Sequence, residues 1–163
     1  MGEKTDVSAM AFLNYAREYH EAVEELFRSK PRLTRVLNAL YFHVTELPLK
    51  AYLRAHNRDP WGHEIGELCK ECRGLGLTIS SDDRFGLENI VNLLESGNED
   101  MAFRYFSLKS GSEPDLNWTH EVVEQLMQVV ASFVESKKDT AASGAAVKMI
   151  MKLGKPSPKE PTS

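Results

Sequence analysis

The sequence predicts an all-α fold: an antiparallel up-and-down bundle of four main helices plus one short extra helix. Three observations predict it. Apolar residues recur at three- and four-residue spacing in several separate stretches, the period of a helix with one buried face. The stretches are parted by short breaks carrying Pro31, Pro60, or Gly74 and Gly76. Only residues 101–110, MAFRYFSLKS, have strand-like composition, and no second segment offers them a partner.

The first helix is expected over Val7–Ser29, capped by Asp6, with Phe12, Tyr15, Tyr19, Ala22, Val23, Leu26 and Phe27 on one face. Pro31 ends it, because the residue before a proline is pushed out of the helical region. The second helix, Arg32–His56, carries Leu33, Leu37, Leu40, Val44, Leu47 and Ala51 in one stripe. Val36, Tyr41 and Leu49 widen that stripe, which makes this helix central. Pro48 inside it predicts a kink. Asn57–Pro60 reads as a turn. The third helix, His63–Arg73, faces inward through Ile65, Leu68, Cys69 and Cys72, followed by Leu75, and Gly74 and Gly76 stop it. Residues 77–79 form a short extended crossing. A fourth helix follows over Asp83–Glu95, with Leu87, Ile90, Val91 and Leu94 inward. The last runs from a cap at Asn117 or Thr119 to Ser136, with Val122, Leu126, Val129, Val130 and Phe133 as its stripe. There is no heptad array and no internal repeat.

Two parts follow from composition: a helical bundle over residues 1–136 and a disordered basic tail over 137–163, rich in Ala, Ser, Lys and Pro. The net charge of −4 divides unevenly, with +4 on the tail and −8 on the body. An acidic body disfavours duplex DNA, because phosphate neutralisation supplies most non-specific affinity. No long uncharged apolar run exists, so no membrane span is expected. The first residues lack the apolar core of a signal peptide, which places the chain in the cytoplasm with reduced cysteines. Cys69 and Cys72 form a lone CxxC on an apolar face and read as core residues; no metal site and no cofactor are expected. Trp61 reads as a plug for the bundle end.

A polar stripe, His43, Glu46, Lys50 and Arg54, runs beside the apolar one at i, i+3, i+7 and i+11. Read as a solvated face, it holds a Glu46–Lys50 i,i+4 ion pair. Read as a ligand site, it forms a pocket near Pro48, closed by His63 and Arg104, in which Lys50 and Arg104 hold a phosphate. The segment ALYFHVTELPLKAYLRAHN, then GHEIGELCKEC after a short loop, resembles the signature of the HEPN family of small helical domains. The matching elements are Glu46, Leu49-Lys50-Ala51, the loop Asn57–Gly62, His63-Glu64-Ile65 and the later pair Arg104-Tyr105. Pro48 departs from the pattern.

The resemblance implies a bundle that dimerises, and one of two activities. Some members are metal-independent ribonucleases with an Arg followed four to six residues later by a His. Others are non-catalytic modules that bind a nucleotide or a partner protein. Arg58 and His63 meet the ribonuclease spacing, with His63 as general acid/base and Arg58 stabilising the transition state. They sit mid-chain on a Pro/Gly loop, however, whereas the nuclease pair lies near the final helix. There, His120 has no Arg at the required spacing. The expected function is therefore a non-catalytic, homodimeric binding or interaction module for a nucleotide or partner protein, with His43, Glu46, Lys50, His63 and Arg104 as ligand-binding residues. The alternatives are an RNA-cleaving enzyme built on Arg58 and His63, and a structural helical adaptor without ligand.

Overall fold

The all-helical expectation holds. The computed structural model describes residues 7–79, 86–98 and 114–153, with 139 and 141–153 described by backbone alone. These residues form α1 (Ala9–Ser29), α2 (Thr34–Ala55), α3 (Ile65–Gly74), α4 (Leu87–Gly97) and α5 (Leu116–Leu153), and they contain no strand. Three helices are thus long and two short. Residues 99–113, with the strand-like stretch and Arg104 and Tyr105, lie outside the described residues, as do Asp6 and residues 80–85.

Ser8, not Asp6, caps α1: its hydroxyl accepts from the Ala11 amide at 3.1 Å. The inner face of α1 is also rotated from the expected one. Leu13, Ala16 and Val23 are buried, with Phe27 partly so, while Tyr15, Tyr19 and Ala22 lie at the surface. The expected face followed the aromatics. The packed face runs through the small, fully buried Ala16, and it carries polar His20.

Helix α2 touches each of the other four helices. From Pro48 to Leu53 every residue is buried, so this part of the chain has no solvent side. The helix continues through Pro48, and the Thr45 hydroxyl donates to the Tyr41 carbonyl at 2.8 Å one turn earlier. Asn57 takes a left-handed conformation (φ 60°) that ends α2, with the Arg58 amide donating back to the Leu53 carbonyl at 2.9 Å. Gly76 (φ 94°) does the same for α3, with Leu77 donating to Cys72 at 3.0 Å. Tyr41, Leu49 and Tyr52 are absorbed into the bundle's own core. Val36 stays 47% exposed.

The start of α3 differs from expectation. His63 and Glu64 precede the helix, and Glu64 makes no side-chain cap bond. Glu95 from α4 supplies the carboxylate instead, accepting from the Gly66 amide at 3.3 Å. Gly66 leaves room for it, since a Cβ there would lie 2.5 Å from Glu95 Oε2. At α5 the cap is Asp115, whose carboxylate accepts from the Trp118 amide at 3.0 Å. This helix does not stop at Ser136. Lys137 lies over the Phe133 ring, 5.3 Å from its centroid, and the backbone stays helical to Leu153. Residues 137–153, expected to be disordered, are therefore helical; the Ala-rich composition read as a tail is also the best helix-forming composition.

Both cysteines are buried and unpaired with each other. The Cys72 thiol donates to the Leu49 carbonyl at 3.4 Å. Burial pushes both thiols above the usual range. Neither should react with a thiol reagent in the folded protein, and both should react promptly in denaturant; rapid native labelling of either would contradict the core assignment.

Candidate functional site

Glu46 is the hub of the predicted polar stripe, and it is only 4% exposed. Its helical position brings Lys50 onto the same face one turn later, with Lys50 Nζ 2.7 Å from Oε1. His63, seventeen residues away on the α2–α3 loop, places Nδ1 at 2.7 Å from the same oxygen. His43 Nδ1 stands 3.7 Å from Oε2, beyond hydrogen-bond range. Burial alone would raise the Glu46 carboxyl. His43, Lys50 and His63, with the charge of Lys50, outweigh it and hold the group at about 2. The carboxylate is thus permanently charged at neutral pH, and it tethers the loop to the central helix.

The stripe is therefore a structural clasp at Glu46 and Lys50. Lys50 is buried against its partner and presents no ammonium to a phosphate. Arg54, last in the stripe, turns to Asp59 at 2.9 Å and pins the loop. Within that loop Trp61 is 73% exposed, so it does not plug the bundle end. His63 keeps a 78% exposed side chain while bonding Glu46. No hydrogen bond or ion pair joins it to Arg58 among the described residues. Arg104 falls outside the described residues, so its predicted place beside Lys50 is not part of this geometry.

Of the predicted site residues, His43 lines an open cavity. The space, about 270 Å³, lies between α1 and α2. Tyr19, Val36, Ala39, Leu40, Phe42, His43 and Asn98 form its walls. The Tyr19 and His43 rings stand 5.1 Å apart at 33°. Beside Val36, the α1–α2 turn and the first turn of α2 carry Lys30, Arg32 and Arg35 at the surface, in a stretch (residues 28–35) without a single acid. Sequence reasoning placed Tyr19 in the core and passed over this basic turn. The acid-free run was the signal available for it.

A second polar cluster was also missed. His20 and Glu24 on α1 face Glu124 and His120 on α5. The pairing is reciprocal: His20 contacts Glu124, and His120 Nε2 lies 2.9 Å from Glu24 Oε1. Pairs 20–124 and 24–120 mean that the two helices run antiparallel here. The His120 ring stacks on Phe27 at 4.4 Å, and its Nδ1 meets the Tyr41 hydroxyl at 3.1 Å. The sequence did hold a signal, which corrects the expectation of no internal repeat: HEAVE at 20–24 and HEVVE at 120–124 differ at a single position.

Compared with known families, residues 9–140 match the family model described as the HEPN domain. No curated protein and no solved structure matches the chain. Among the described residues, no helix is long and apolar enough to cross a membrane.

Proposed function

Because the chain belongs to the HEPN family, we propose that it is a non-catalytic nucleotide-binding module that takes its ligand between α1 and α2. The observation that carries this reading is the cavity beside Tyr19 and His43. Its lining is mostly apolar, as in small-ligand sites, and its volume falls just below their range of about 300–1,000 Å³. Its two rings offer a planar base a stacking surface, and Asn98 offers an amide to the base edge. The basic turn adjoining Val36 supplies cations for a phosphate in an otherwise acidic body. Glu46 stands 3.7 Å behind His43, so the clasp adjoins the site without touching the ligand.

The reading replaces the ligand set expected from sequence: His43 keeps its role, and Tyr19 and Asn98 join it. Glu46, Lys50 and His63 become positioning residues. The cytoplasm and a homodimeric state fit this function but are not needed by it. Catalysis by Arg58 and His63 is disfavoured by their place on a mid-chain loop, away from the final helix where the nuclease pair is expected; the Glu46 carboxylate on His63 Nδ1 is no argument either way, since it leaves Nε2 free.

Calorimetric titration of the full chain with nucleoside mono- and triphosphates tests the reading. Saturable binding is expected, weakened about tenfold or more in Tyr19→Ala, the loss of one base-stacking contact. The same protein should leave single-stranded RNA intact without metal. No binding at millimolar nucleotide, or RNA cleavage abolished in a folded His63→Ala variant, would overturn it.

A further inference from the structure

We propose that the paired motifs on α1 and α5 form a site for one divalent first-row transition ion of the zinc type. His20 Nε2, Glu24 and Glu124 are the ligands, and His120 is a positioning residue. One ligand atom from each of His20, Glu24 and Glu124 falls within 4.8 Å of the others. His20 Nε2 lies 3.9 Å from Glu24 Oε1, close to the edge of about 3.4 Å that tetrahedral zinc imposes on ligands 2.0–2.2 Å away, while its closer contact with Glu124 would have to open to that spacing. One imidazole nitrogen and two carboxylate oxygens suit zinc and its neighbours better than magnesium or calcium. Two carboxylates with a neutral imidazole also cancel the charge of a divalent ion.

The two histidines occupy the same place in the repeat but differ in bonding. Glu24 is acceptor-only, so His120 Nε2 carries a proton and donates it. Its Nδ1 is then an acceptor for the Tyr41 hydroxyl. Burial, with Glu24 and Glu124 adding to it, pushes the Tyr41 phenol far up, which keeps that donor protonated. The result is a directed chain, Tyr41 to His120 to Glu24, the hydrogen-bonded backing that metal-ligating carboxylates have. The Arg28 guanidinium holds the other Glu24 oxygen at 3.4 Å. His20 has no such arrangement. Its Nε2 is shielded from solvent and in contact with Glu124, yet it makes no hydrogen bond of acceptable geometry. By the argument that holds for His120, Nε2 facing the acceptor-only Glu124 carries a proton, and a divalent ion would displace that proton and take its place between the ring nitrogen and the two carboxylates. A bound ion would staple α1 to α5 across the bundle.

Chelator-treated full-length protein titrated with Co²⁺ should develop visible d–d absorption saturating at one ion per chain, and Zn²⁺ should bleach it and raise the unfolding midpoint. His20→Gln and Glu124→Gln should each weaken binding by tenfold or more. Glu121→Gln, an exposed acid inside the same motif, should leave it unchanged. His120→Gln should weaken binding while keeping the absorption spectrum of the ligand set. Circular dichroism of each variant separates unfolding from ligand loss, and a variant that fails to fold without metal but folds with Zn²⁺ counts for the site. Absence of d–d bands at micromolar protein and excess Co²⁺, or equal binding in His20→Gln and Glu124→Gln, would overturn the proposal and leave two crossed ion pairs.

Discussion

Replacing Glu46 with alanine should lower the free energy of unfolding by about 3–5 kcal/mol, the cost of stranding the buried partner of an ion pair. The stranded group is Lys50, which the fold keeps from water. His63 would lose its anchor at the same time, freeing the α2–α3 loop. Chemical denaturation of wild type and variant measures the difference. Adding Lys50→Met to the Glu46→Ala variant should recover part of the loss, because no lone charge then remains in the interior. A loss below about 1 kcal/mol would mean that Glu46 behaves as an exposed pair does. The same carboxylate sets an acid limit. In the folded chain it titrates at about 2 instead of the usual 4.5, so the unfolded chain takes up this proton first. Its contribution is complete above pH 4.5 and fades as pH falls toward 2. A difference of that size amounts to about 3 kcal/mol. In the Glu46→Ala variant, this part of the stability–pH curve should flatten.

The second large effect is expected at Tyr41. The residue has no exposed surface, and its ring packs where α2 meets α5. Truncation to alanine leaves a ring-sized cavity and should destabilise the fold by about 3–5 kcal/mol. Tyr41→Phe keeps the packing and removes only the hydroxyl that meets His120, for about 0.5–1.5 kcal/mol. Measured by the same denaturation, the two values separate packing from hydrogen bonding. Equal losses would show that the hydroxyl, through the α1–α5 cluster, carries most of the residue's role.

The local features of this protein were legible in its sequence. Helical period located all five helices, and the width of the apolar stripe marked α2 as central. An i,i+4 spacing placed Glu46 beside Lys50, and apolar flanks put both cysteines inside. The family signature around Glu46, Lys50 and His63 also pointed to the domain type over most of the chain. Each of these depends on a few neighbouring residues whose relation the helix itself fixes.

What the sequence left undecided involves residues that no single helix relates. The rotation of α1 about its axis put Ala16 and His20 inward and Tyr19 outward, and that angle is set by the summed fit of α1 against α2 and α5. Glu95 reached the start of α3 from another helix, and His63 reached Glu46 across a loop. His20 met Glu124 only because α1 and α5 run antiparallel in one register. Apolar periodicity says which side of a helix is buried to within a residue or so. A contact between polar side chains needs ångström placement of two backbones, and only the packed tertiary structure sets both at once.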